Sequence, residues 1–199
     1  MAMNFKVFSD ANTAATYVAD LMRKQFRNNP TTIVGVHLNT DDAPVLEQLK
    51  ADVEKHPVNF SQVNILDYDN NKPYYEGLGV PSGQIYPVAY NQQIEEYIDE
   101  KIKSKKSKAK FTLQVVTIDR KGSLNINMKS GLLPARELLV VITGADKQDV
   151  VKNLYEQNGN TSFVPADIKA HRMINVVLDE AAAQGLPEDV RQYFTARFA

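Results

Sequence analysis

Along this chain, unbroken runs of aliphatic and β-branched residues alternate with segments in which apolar residues recur every three or four positions. Residues 138–142, Leu-Leu-Val-Val-Ile, have no polar break, as expected of a strand buried on both faces of a parallel sheet. Thr143-Gly144-Ala145-Asp146 turns the chain, and over 147–157 the spacing of Val150, Val151, Leu154 and Tyr155 sets all four on one helical face. Residues 174–178 read as a second buried strand, so this third of the sequence forms a strand, a crossover helix and a strand. In such sheets ligands gather at the carboxyl ends of the strands, which makes 143–147 a place where a site can be built.

The rest of the chain repeats the alternation. Residues 5–8 give a strand signal, Ser9-Asp10 can cap a helix over 12–26, and Ala14, Val18, Leu21 and Met22 recur at helical spacing toward the sheet. Strands follow at 31–38, 63–66 and 111–118, and helices at 44–54 and 91–103, the latter with Ile94, Tyr97, Ile98 and Ile102 on one face. Asp41-Asp42 stands ahead of the helix at 44–54, where acidic residues complement the helix dipole. A polar loop is predicted at 69–72 and an ordered connection at 78–88, where Gly79, Pro81 and Gly83 punctuate the sequence. A last helix at 187–199 offers Val190, Tyr193, Phe194 and Phe198, either to the domain's own sheet or to a second subunit. The pattern predicts an α/β three-layer sandwich, a mostly parallel central sheet flanked by helices, as one domain over 1–199. Val34, Val115, Val140, Val141, Val176 and Val177 belong in its core.

Composition narrows the function classes more than it names one. A chain of 199 residues suits a single core, since this length buries roughly 70% of the surface that the unfolded chain exposes. With 23 basic and 24 acidic residues the net charge of −1 supplies no field for nucleic acid or an anionic membrane, and neither partner is expected. The lysine-rich run 101–110 reads as a solvated helix end. The absence of cysteine excludes disulfides and thiol chemistry, and the start of the chain has no signal-peptide pattern, so a cytoplasmic protein is expected. His37, His56 and His171 do not gather at ligand spacing; no metal and no cofactor is expected. Asp67, at a strand's carboxyl end, reads either as a general base or as a solvated residue opening the loop. Lys147 reads either as an anion anchor or as a solvent-facing lysine, but its disfavoured place at a helix start favours the anchor.

Ala135, Glu137, Gly144, Lys147, His171 and Asp179-Glu180-Ala181-Ala182 carry a more specific signal. Their order and spacing resemble the glucosamine-6-phosphate deaminase/isomerase family, whose relatives include the 6-phosphogluconolactonases. The resemblance implies a sugar-phosphate ligand, with Asp67 as the base that moves a proton between the first two sugar carbons. It implies a pocket bordered by Asn39, Thr40, Thr117 and Gly144, with Lys147 on the phosphate. Departures from the family pattern are concentrated in the chemistry. Asp41 and Asp42 enter the phosphate loop, Ser123 stands where the family has histidine, and few residues remain between 125 and 134 for a lid. The sequence therefore implies an isomerase or deaminase with a weak or inactive site; lactone hydrolysis, a non-catalytic sugar-phosphate-binding module and a homo-oligomer remain open.

Overall fold

Each apolar run pairs in parallel with another, and the result is a seven-stranded sheet in the order β1-β7-β6-β5-β2-β3-β4. The strands are β1 (Asn4–Phe8), β2 (Thr32–His37), β3 (Asn64–Asp67), β4 (Ile85–Pro87), β5 (Lys110–Thr117), β6 (Glu137–Ile142) and β7 (Ile174–Asp179). This computed structural model describes residues 3–38, 44–124, 134–157 and 164–198. Asn39, Thr40, Asp41, Asp42 and the shortened stretch 125–133 lie outside the described residues.

The helices are α1 (Ala11–Asn28), α2 (Val45–Lys55), α3 (Lys72–Leu78), α4 (Ile94–Ile98), α5 (Gln148–Glu156), α6 (Glu180–Ala183) and α7 (Glu188–Phe198). Direction of travel decides their layer. From β1 to β4 the chain steps one way across the sheet, and right-handed crossovers lay α1, α2 and α3 on one face. After β4 it returns to β5 and steps the other way, so α4, α5 and α6 cover the opposite face, joined there by α7. Alternation along β6 serves both layers at once. Leu139 and Val141 pack with α1 and α2, while Leu138, Val140 and Ile142 pack with α5 and α6.

All six residues expected in the core are 0% exposed. At roughly 1.5–3 kcal/mol for each fully buried aliphatic side chain, the β6–β7 centre is where the layers are held most strongly. Asp10 caps α1 as expected, accepting the Thr13 amide at 2.7 Å. Three details differ from the sequence reading. Residues 72–78 form α3, although no element is predicted between the loop at 69–72 and the connection at 78–88, and residues 85–87, inside that connection, form β4. The helix expected over 91–103 runs as a short α-helical stretch that widens into a π-turn at Asp99–Lys103. Tyr155 leaves its helix's buried face and is 38% exposed, touching Phe5 only at a ring distance of 6.3 Å. The last helix packs on its own sheet, with the Phe194 ring 5.5 Å from that of Phe5.

Candidate functional site

The sheet reverses its direction of growth between β2 and β5, and a crevice above strand ends at such a reversal is where α/β sheets bind ligands. Asp67 is the last residue of β3, the strand next to β2, and it is only 3% exposed. Its Oδ1 accepts the amide of Asp69 at 3.1 Å, an Asx-type turn that brings the chain back over the strand end. Asn70 follows with φ 61, a left-handed conformation that asparagine tolerates better than most residues.

This turn aims Asp69 at the end of β2. Its Oδ2 accepts the Leu38 amide at 2.9 Å, and its Oδ1 accepts the Nδ1–H of His37 at 2.5 Å. An ionised carboxylate only accepts, so Nδ1 carries a proton, and in the neutral form of the ring Nε2 carries the lone pair. Side-chain exposure is 14% for His37 and 16% for Asp69, low enough that water competes weakly for the pair. The ring of Tyr68 lies 6.0 Å from that of His37, and the Tyr68 hydroxyl is buried with no partner among the described residues. Burial drives the Tyr68 phenol's pKa well above its ordinary value, so it is a neutral donor. Sequence reasoning placed His37 inside a strand and assigned Asp69 to a loop. The signal available was a histidine ending one strand run and Asp-x-Asp ending the next; strand pairing turns it into a contact.

Further along the same edge, Gly144 follows β6 with φ 100 and ψ 147, a region open essentially to glycine alone. Its amide is accepted by both carboxylate oxygens of Asp179, at 3.0 and 3.1 Å, and Asp179 also caps α6 through the Ala182 amide at 2.9 Å. The turn delivers Lys147, which is 2% exposed and donates to the Thr143 carbonyl at 3.1 Å, with Asp146 Oδ1 at 3.7 Å. It is not a solvent-facing lysine. Thr117 ends β5 between these two groups and is 4% exposed. Asp67, ending β3, and the turn after β6 that carries Lys147 thus belong to one edge of the sheet, and their strands are three apart, or about 14 Å at the usual strand spacing.

The loop that carries Ser123 closes on itself. Asp119 Oδ1 accepts the amides of Lys121 and Ser123 at 2.9 and 2.8 Å, and Gly122 sits at φ 73. His171 lies at the opposite edge of the sheet. Its Nδ1 accepts the Met173 amide at 3.0 Å and its Nε2–H donates to the Ala135 carbonyl at 2.6 Å, joining the starts of β6 and β7. A cavity of about 240 Å³, lined by Met3, Asn4, Lys169, His171 and Arg172, opens at that edge too, contrary to the expectation that pockets gather above the carboxyl ends. Among the described residues no three His, Cys, Asp or Glu side chains are placed to hold a metal ion, and no helix is long and apolar enough to cross a membrane.

No family model matches the chain. A glucosamine-6-phosphate deaminase from Cellvibrio japonicus (strain Ueda107) is 20% identical, over 96% of this chain and 94% of that protein. Among solved structures, a monomeric glucosamine-6-phosphate deaminase superposes with a TM-score of 0.72 at 13% identity, over 92% of this chain and 100% of that one. A 6-phosphogluconolactonase from Trypanosoma cruzi superposes with a TM-score of 0.64 at 10% identity, over 93% of this chain and 97% of that one.

Proposed function

We propose that this chain is a member of the family of glucosamine-6-phosphate deaminases and 6-phosphogluconolactonases, which its similarity to such proteins supports, and that it binds a sugar phosphate across the carboxyl ends of β2, β3, β5 and β6. In this reading Asp67 is the base that moves a proton between the first two carbons of the open sugar, and Lys147 takes the phosphate. Asn39, Thr40, Thr117 and Gly144 border the ligand. Catalysis is aldose–ketose isomerisation, with or without loss of the amino group, and it is weak.

One observation supports the reading above the others: Asp67 and Lys147 stand on one edge of an all-parallel sheet, either side of its reversal point. A carboxylate at the carboxyl end of a strand beside a reversal point is placed to reach a ligand in the crevice as a general base. Lys147 is buried against the Thr143 carbonyl, and a phosphate would draw it outward as the stronger, charged acceptor. Weakness follows from Ser123, since an unactivated hydroxyl does not exchange protons as an imidazole does near neutral pH. The self-closed loop around Ser123 also favours a second reading, a sugar-phosphate-binding module without turnover.

A thermal-shift screen of phosphorylated sugars tests binding. A ligand at 100 times its dissociation constant adds about 2.7 kcal/mol of stability. The reading expects such a rise with glucosamine 6-phosphate or a related sugar phosphate, and no rise with any of them overturns it. An ammonia-release assay then separates the enzyme from the binding module.

A further inference from the structure

We propose that His37, held in one tautomer by Asp69, is the acid–base group that opens the sugar ring at this site. This rests on the sugar-phosphate reading and revises its expectation of weak turnover, since an imidazole at the end of β2 takes the role that Ser123, in the loop after β5, cannot fill.

Three features of the structure lead there. First, tautomer: Asp69 fixes the proton on Nδ1, so the lone pair is on Nε2, the nitrogen not committed to the carboxylate. Second, rigidity: Asp69 is itself held by the Leu38 amide on one oxygen, and its backbone amide is tied to Asp67, so a single turn positions both His37 and Asp67. Third, placement: Val36 pairs with Asp67, which makes His37 the next residue along β2, and the alternation of a strand sends its side chain to the other face from that of Asp67. A sugar lying across the crest of β2 and β3 would meet the carboxylate from one side and the imidazole from the other. Tyr68, with a buried hydroxyl lacking a partner among the described residues, flanks the imidazole and can donate to the same ligand.

The step is a proton relay. Nε2 accepts the proton of the anomeric hydroxyl as the C1–O1 bond becomes a carbonyl and the bond from C1 to the ring oxygen breaks. The imidazolium then returns that proton to the ring oxygen, now the C5 hydroxyl, and the imidazole ends as it began. Asp67 remains free to act on the open chain.

With three histidines in the chain, each can be followed separately. Wild-type protein is treated with diethyl pyrocarbonate, which acylates neutral imidazole, with and without saturating glucosamine 6-phosphate, and with inorganic phosphate as a control. Mass spectrometry reads each histidine. Binding is scored in parallel by thermal shift. Protection of His37 by the sugar phosphate and not by inorganic phosphate, with exposed His56 unprotected, is the expected result. Turnover, where it is measurable, drops at least 100-fold in His37→Gln with KM within threefold, as expected for loss of an acid–base group. His56→Gln keeps the wild-type rate. Asp69→Asn presents an amide NH2 to the Leu38 N–H or to the ring, and nitrogen NMR of the imidazole then finds the proton shifted to Nε2, which a purely structural role for Asp69 does not predict. If the sugar phosphate stabilises the protein while His37 remains unprotected, or His37→Gln turns over at the wild-type rate, this proposal fails and the sugar-phosphate reading stands. If no sugar phosphate stabilises the protein, both fail together.

Discussion

Both carboxylate oxygens of Asp179, at the end of β7, accept the single backbone amide of Gly144 on the neighbouring strand's loop. The same carboxylate accepts the Ala182 amide at the start of α6. One side chain therefore fixes the turn that precedes Lys147 and also the exit from β7. Asp179→Ala leaves two amides without their acceptor in a buried place, which costs about 1–3 kcal/mol. The midpoint of urea unfolding should fall accordingly, and affinity for a sugar phosphate should fall with it because the Lys147 turn loosens. A variant that loses stability and keeps full affinity would separate this turn from the site.

Gly35 and Gln114 face each other across β2 and β5. A Cβ on Gly35 would lie 1.9 Å from Gln114 Oε1, so the glycine is needed for space and not for an unusual backbone angle. Gln114 is fully buried, its amide donating to the Val115 carbonyl at 3.0 Å and its Oε1 lacking a partner among the described residues. Gly35→Ala should cost about 1–3 kcal/mol by overpacking. Adding Gln114→Ala to it should restore most of that loss, a coupling of at least about 1 kcal/mol in a double-mutant cycle read by thermal unfolding. Additive losses would show that the contact is not what constrains Gly35.

The sheet was legible from sequence because strands buried on both faces must be apolar throughout, and 138–142 and 174–178 are nearly so. Elements that escaped were short or broken by turn formers. The helix α3 has Pro73 in its first turn, where proline is favoured, but it is only seven residues long and lies between a predicted polar loop and the turn formers from Gly79 onward, too short to show a helical period. The strand β4 has three residues and ends in Pro87, suited to a sheet edge and too short to leave a period. For the site, motif spacing was an uneven guide. Gly144 and Lys147 lie above the carboxyl ends, whereas His171, matched by the same motif, fastens strand starts at the far edge. The His37–Asp69 pair carries no motif. Two residues 32 apart meet only because Val36 is in register with Asp67, and register is set by long-range pairing.

Arg23 ties α1 to α2. Its Nε donates to Asp52 at 2.7 Å and a guanidinium NH2 to Asp20 at 2.8 Å, with Lys24 also on Asp20 at 2.6 Å. Burial alone would raise the Asp20 pKa, but the hydrogen bonds from Lys24 and Arg23 outweigh it and hold the carboxyl below its ordinary value. A carboxyl depressed in the folded state contributes stability above its unfolded pKa, about 3.9, and that contribution is lost as pH falls through the folded value. The urea midpoint of the wild type should thus exceed that of Asp20→Asn at pH 6, and the gap should close below about pH 4. Asp10 is held low as well, mainly by the Thr13 amide, and is present in both proteins, so the difference between them isolates Asp20. A gap unchanged down to pH 2.5 would mean that the ion pair contributes nothing.

Lys147 sets stability and binding against each other. Its ammonium is buried and donates to the Thr143 carbonyl, close to Asp146, so ligand binding must draw it out of contacts already made. Lys147→Met keeps a similar apolar stem and removes the charged donor; the lost bond, about 1.5–3 kcal/mol, is offset in part because methionine buries no charge, so the net cost without ligand should be about 1 kcal/mol. The effect on a phosphate is larger. Hydrogen bonds to charged groups contribute about 1.5–3 kcal/mol, so the dissociation constant for glucosamine 6-phosphate should rise by about 10–150-fold. Two titrations decide it, thermal unfolding without ligand and calorimetry with it. A modest loss of stability with a large loss of affinity makes Lys147 the anchor; equal small losses in both make it a residue of the loop, and the phosphate must then be held by other groups at this edge of the sheet.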